Sequence, residues 1–195
     1  LFLPFIYDES GLFVNNKGFI MTGKNLKYLS AFFNSEIFKG VYRDFFPEMG
    51  GTRRELRKIV FEKACIPFPG PELDQTISCL VDYILYSLRH PDAFTAASLM
   101  ASYWEELING LLYEIYFKQE MEALGVMVST HLPALEPLGT EPVQQLKNLF
   151  DKLYAFEHPL RKSLYNLSLV PRIATIKKEA EKVKSSSVGV EEDDE

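Results

Sequence analysis

GLFVNNKGFIMTGKNLKYLSAFFNSEIFKGVYRDFF, residues 11–46, and GGTRRELRKIVFEKACIPFP, residues 50–69, decide how this chain is read. Phe13-Val14 and Phe19-Ile20-Met21 flank Asn15-Asn16-Lys17-Gly18, and Asn and Gly tolerate the positive φ of a hairpin turn, so a hairpin is predicted here. Phe5-Ile6-Tyr7 is a further β-type run. Thr22 or Asn25 then caps a helix predicted from about Asn25 to Phe46, because Leu26, Leu29, Phe33, Ile37 and Val41 recur at steps of three and four. Gly40 is expected to bend or end that helix, and Pro47 with Gly50-Gly51 to stop it. A short strand holding Cys65 is expected to run up to Pro67 and Pro69.

The same stretch concentrates positive charge. Between Lys17 and Lys63 stand ten Lys and Arg against five acids, a net +5 that leaves the rest of the chain at −11 within a total of −6. A basic island of this kind is the electrostatic footprint of a nucleic-acid-binding surface. Its densest part, Arg53, Arg54, Arg57 and Lys58, follows Gly50, Gly51 and Thr52. Glycines let the backbone approach a phosphate closely. The planar arginine fork can read guanine in the major groove, although most such contacts go to phosphate and only position the protein. Asn15, Asn16, Lys17, Lys24 and Asn25 form a second polar group at turns of the same region. Two plainer accounts stand beside these. The loop can be a solvated charged turn with Glu55 paired to a neighbouring Arg, and Asn15, Asn16 and Asn25 can be turn and cap residues alone.

Beyond Pro67-Phe68-Pro69-Gly70-Pro71 the pattern turns helical. Leu73, Ile77, Leu80, Val81, Ile84, Leu85 and Leu88 make one stripe, ended near His90-Pro91. Leu107, Ile108, Leu111, Leu112, Ile115 and Tyr116 make a second, and Val143, Leu146, Leu149, Phe150, Leu153 and Tyr154 a third. Three stripes punctuated by Pro and Gly predict an antiparallel helical bundle, with a loop-rich connection over 125–142. The expected fold class is therefore α+β: a small mixed α/β recognition sub-domain over 1–69, a helical sub-domain over 70–176, and a charged flexible tail over 177–195, acidic from Ser185 onward.

The apolar fraction of 47%, with 15 Phe and 10 Tyr, suffices for a core. Phe32, Phe33, Phe38, Tyr42, Phe45 and Phe46 fall at helical spacing and are assigned mainly to packing, with Tyr42 the one ring able to offer a hydroxyl to the basic loop. Cys65 and Cys79 are read as two reduced core thiols. No signal peptide and no membrane-length apolar run is found, so a cytoplasmic protein with no membrane partner is expected.

The ordered set FVNNKGFIMTGKNLKYLSAFFNSEIF, MGGTRRELRK and ACIPFP resembles the C-terminal target-recognition domain, TaqI-like in its specificity region, of restriction-modification adenine methyltransferases. The likeness is to the fused type IIG enzymes of bacteria in particular, and more loosely to type I specificity subunits. EELINGLLYEIYF and HPLRKSLYNLSLVPRIATI resemble their later segments, so the likeness spans most of residues 7–176. It implies sequence-specific recognition of double-stranded DNA, with Arg53, Arg54, Arg57, Lys58, Gly50, Gly51, Thr52, Lys17, Lys24 and Asn25 as contact residues. It implies catalytic domains of the same polypeptide as partners, with S-adenosylmethionine and Mg²⁺ belonging to those domains and no cofactor here. It also implies that the recognition domain begins upstream of residue 1. Asn34-Ser35 matches an Asn-Ser pair in such proteins and is read as structural, a helix–strand hydrogen bond.

The catalytic parts themselves are missing from this sequence. There is no Asn/Asp-Pro-Pro-Tyr/Phe motif, no glycine-rich loop after a strand, and no nuclease-type Asp with Glu-x-Lys. His90, His131 and His158 lie far apart, without Cys or carboxylates at metal-ligand spacing. Ser129-Thr130-His131 is adjacency, not triad geometry. No turnover is expected of this chain alone. Arg161-Lys162, Arg172, Lys177 and Lys178 can touch phosphates or can simply be solvated. The rival class is a helical protein–protein docking module whose basic loop is incidental.

Overall fold

Proline stands first in four of the helices, where its fixed φ suits the helix start and its missing N–H has no intrahelical partner to lose. These are α3 (Pro71–Arg89), α5 (Pro142–Tyr154), α6 (Pro159–Asn166) and α7 (Pro171–Ser185). Before them come α1 (Leu26–Asn34) and α2 (Glu36–Phe45), and between α3 and α5 lies the long α4 (Ala97–Leu124). Short 3-10 turns fill Pro91–Ala93 and Leu167–Leu169. The computed structural model describes residues 5–15, 18–45 and 62–185, and of 42–45 and 184–185 only the backbone. Among the described residues no helix is long and apolar enough to cross a membrane.

The expectation of an α+β fold is overturned, because the described residues form helices and no strand. Residues 5–15, 18–25 and 64–70 are non-helical, yet they make no ladder. Gly18 N donates to Asn15 O at 3.1 Å, and among the described residues no strand pairing follows. An isolated two-stranded hairpin is marginal in water without a third strand or a packed face. Here the apolar side chains that would supply that face (Leu12, Phe13, Val14, Phe19, Ile20) are exposed. The segment is instead held by side chains. Asn34 grips Phe5 on both sides: its Nδ2 donates to Phe5 O at 2.7 Å and its Oδ1 accepts from Phe5 N at 3.2 Å. The structural reading of Asn34 thus holds in kind, with an extended segment in place of a strand. The Asp8 carboxylate accepts from the backbone N–H groups of Ser10, Gly11 and Leu12 and from the Ser10 hydroxyl, which hold its pKa down to about 2.

The single helix predicted over 25–46 is two helices, and the break falls at Ser35 rather than Gly40. Ser35 leaves helical geometry at φ −70°, ψ 161°. Its Oγ donates to Phe32 O at 2.6 Å, ending α1, and accepts from Phe38 N at 3.3 Å, starting α2. A short hydroxyl that can serve both helix ends favours a cap over a helix interior. Gly40 has a different task. A Cβ there would stand 3.2 Å from Ile176 Cγ2 and 3.4 Å from Ile176 O, so its bare backbone is what lets α2 lie along α7.

One buried cluster runs from Phe33 and Phe38 through Ile77, Leu80, Trp104, Leu107 and Leu112 to Ile173. α3 packs along α4, and α1 on α3 and α2. Trp104 sits fully buried among Tyr83, Tyr103 and Phe150 at ring separations of 5.6–5.9 Å, joining α3, α4 and α5. At the other end Phe5 stacks on Phe33 at 4.8 Å and Phe33 meets Phe38 edge-on at 5.1 Å. Phe32, Phe33 and Phe38 are thus core residues. Buried tyrosine hydroxyls find backbone carbonyls, two of them in connecting segments and one in the last turn of α5. Tyr28 donates to Pro67 O at 2.9 Å, Tyr103 to Leu153 O at 2.8 Å, and Tyr83 to Glu136 O. The bonds to Pro67 and Glu136 fasten irregular backbone to helices, and the bond to Leu153 ties α4 to the end of α5. Burial raises all three hydroxyl pKa values well above the ordinary range, so they remain donors.

Three further details differ from expectation. Cys79 is buried on α3, but Cys65 is exposed in irregular backbone and is not a core residue. The second apolar stripe fades at Ile115 and Tyr116, which are exposed just before Phe117 departs from helical geometry at φ −126°. The C-terminal helix runs past residue 176 to Ser185.

Candidate nucleic-acid interface

Of the ten residues assigned to DNA contact, Arg53, Arg54, Arg57, Lys58, Gly50, Gly51, Thr52 and Lys17 lie outside the described residues, as does the side chain of Tyr42. Lys24 and Asn25 lie inside. Lys24 is exposed and belongs to the turn that opens α1. Asn25 occupies the N-cap position in the left-handed region (φ 55°, ψ 33°), which short polar side chains tolerate better than most. Its carbonyl accepts from Leu29 N at 2.9 Å, while its side chain is not spent on the cap.

The roots of the basic region are firmly seated. On the α1 side, Lys27 Nζ lies 2.6 Å from Asp82 Oδ1 on α3 and 5.4 Å from the Tyr7 ring centre. Burial opposes the Lys27 charge, but the Asp82 carboxylate outweighs it and holds the ammonium pKa above its usual value. Lys27 is thereby a structural cation, tying α1 and the arm at Tyr7 to α3. On the α2 side, Glu36 N donates to Asn109 Oδ1 at 2.9 Å, and the Glu36 carboxylate accepts the Tyr113 hydroxyl at 2.8 Å. Burial, reinforced by that carboxylate, drives the Tyr113 pKa far upward. The helix that precedes the basic residues in sequence therefore starts from a point bonded to α4.

A cavity of about 300 Å³ opens beside this seam, bounded by Phe5–Tyr7, Asn34, Glu36, Lys39, Glu105 and Asn109 among others. Asn34, Glu36 and Asn109 already bond to the arm, to Tyr113 and to α2, so these polar groups serve the joint between elements. Among the described residues no three His, Cys, Asp or Glu side chains gather into a metal-binding group. His90 stacks on Tyr86 at 4.3 Å and ends α3, whereas His158 caps α6 by accepting from Leu160 N at 3.3 Å. His131 N closes a turn on Val128 O at 3.1 Å.

Periodicity gave no sign of several of these ties. Lys27–Asp82 and Glu36–Tyr113 link residues 55 and 77 positions apart. Glu114 Oε1, on α4, accepts from Val128 N at 2.5 Å and Ser129 N at 2.8 Å and so pins the start of the 125–142 connection. Gly40 was legible only as a small residue inside a helical pattern, a signal that can mean a bend or a close helix contact alike. No protein-family model, no curated protein and no solved structure matches this chain.

Proposed function

We propose that this chain is a recognition module for double-stranded DNA, of the kind that gives a restriction-modification adenine methyltransferase or endonuclease its sequence specificity. The observation that carries the reading is the basic run from Lys17 to Lys63, ten cations against five acids in a chain of net charge −6. Its support is electrostatic: cations clustered in an acidic protein attract a polyanion and release its counterions. The seating of α1 and α2 on α3 and α4 suits such a role, since loops that read DNA need rigid supports. Chemistry on the DNA is assigned to catalytic domains of the same polypeptide, which would bind S-adenosylmethionine and Mg²⁺.

The test is fluorescence anisotropy with a random-sequence duplex at low and moderate salt, on the wild type and on the Arg53→Ala/Arg54→Ala/Arg57→Ala variant. Binding that weakens with salt and disappears in the variant is expected. Equal binding by both proteins would move the contact off the loop. No binding at low salt, with capture of a protein partner that ignores the three substitutions, would favour a docking module instead.

A further inference from the structure

We propose that the segment from His158 to Lys178, folded as α6 and the first half of α7, is a second surface for the DNA phosphate backbone, separate from the basic loop. It rests on the DNA reading above and extends it to residues that the loop does not include.

The first observation is charge. Residues 158–178 contain Arg161, Lys162, Arg172, Lys177 and Lys178 and no acid, in a chain that carries 27 acids in 195 residues. A helix face kept soluble by charge alone usually mixes both signs. Excluding one sign over α6 and the first half of α7 suits a surface that meets a polyanion.

The second is how these side chains are presented. α6 buries Leu160, Ser163 and Leu164, which leaves Lys162 and Tyr165 to solvent. Arg161 is held: its guanidinium lies 4.3 Å from the Tyr154 ring centre and 6.0 Å from that of Phe156, and Nη1 donates to Tyr154 O at 2.9 Å. No carboxylate pairs with Arg161, Lys162, Lys177 or Lys178 among the described residues. A cation stacked on a ring and fixed by a carbonyl loses less freedom on meeting a phosphate than a free one. Phe156 and Tyr165 stand 82% and 87% exposed, large rings that a merely solvated face does not require. Arg172 is partly engaged, its Nε 3.6 Å from Glu120 Oε1 on α4, and Glu179 ends the acid-free run.

The third is position. Lys177 follows Ile176, the residue that lies against Gly40 of α2, and α2 is the helix that precedes the basic run around Arg53 in sequence.

The experiment is a salt series on the full chain with the random-sequence duplex. It compares the wild type with Lys162→Gln/Lys178→Gln and with the same pair plus Tyr165→Ser. Both substituted lysines are exposed, and circular dichroism melts serve to check that the fold is kept. Each phosphate that the protein no longer neutralises should flatten the plot of log K against log salt by about 0.9. The lysine pair is therefore expected to flatten the slope by about 0.9 to 1.8, one to two phosphates, and to weaken binding several-fold, with Tyr165→Ser weakening it further. A slope and affinity equal to wild type, while the Arg53→Ala/Arg54→Ala/Arg57→Ala variant loses binding, would overturn this second surface and leave the DNA reading standing. A wild type that fails to bind duplex at low salt would overturn both.

Discussion

Gly40 on α2 and Ile176 on α7 touch without an intervening side chain: a Cβ on residue 40 would come within 3.2 Å of Ile176 Cγ2 and 3.4 Å of Ile176 O. Valine is intrinsically somewhat better than glycine in a helix, so without this contact Gly40→Val would be neutral or slightly stabilising. Against the α7 backbone it should instead cost about 1–3 kcal/mol, as overpacking does. Thermal melts of Gly40→Val and Gly40→Val/Ile176→Ala check this. Part of the loss should return in the double variant, and an unchanged melting temperature in the single one would mean that α7 does not seat there.

Asn34 substitutes for a neighbouring strand by bonding both polar groups of Phe5. Asn34→Ala removes both bonds to the Phe5 backbone and should cost about 1–3 kcal/mol. Asn34→Asp keeps an acceptor but loses the donors, and should fall between the wild type and the alanine variant. Amide hydrogen exchange at Phe5 reports the joint directly: it should accelerate in both variants, and wild-type protection in Asn34→Ala would sink the assignment.

His158 caps α6 through a ring nitrogen that must be unprotonated to accept from Leu160 N–H. Its pKa lies below the ordinary 6.5 because burial disfavours the cation, with Lys152 and then His131 adding to the effect. The unfolded state binds the proton more readily, so the contribution is complete above about 6.5 and falls as pH drops through that value towards the lower folded pKa. Denaturant melts between about pH 5 and 7.5 should show stability declining towards acid in the wild type and a flatter profile in His158→Asn, whose amide oxygen can cap at every pH. A His158→Asn profile as steep as wild type would assign the pH dependence to another group.

Lys27 and Asp82 form an ion pair whose side chains are 22% and 30% exposed. A double-mutant cycle with Lys27→Met and Asp82→Asn should return a coupling of about 1 kcal/mol, reduced at high salt. A coupling indistinguishable from zero would show that apolar packing alone seats α1 on α3.

Helices were legible wherever a stripe ran between strong stop signals. Ile77, Leu80 and Val81 are buried on α3, Leu107, Leu111 and Leu112 on α4, and Leu146 and Leu153 on α5, as their spacing required. The apolar alternation around Asn15–Gly18 was equally legible and did not become a sheet, since alternation specifies which face a strand would bury but not whether a partner is present. Ser35 carried its own signal, a cap residue inside a helical pattern, but the apolar period on either side concealed it. The basic run was plain in sequence. The acid-free run over α6 and the first half of α7 was weaker there, because exposure and the hold of Tyr154 on Arg161 emerge only when the chain is folded.

By itself, then, the sequence determined local matters: the apolar stripes that α3, α4 and α5 bury, and where cations gather. Those follow from backbone sterics and apolar spacing, which act over a few residues. Tertiary structure alone decided that Phe5 is clamped by Asn34, that Lys27 reaches Asp82, and that Gly40 admits Ile176. Each joins residues 29 to 136 positions apart, and such contacts depend on shape and polar satisfaction between faces that only the packed chain brings together.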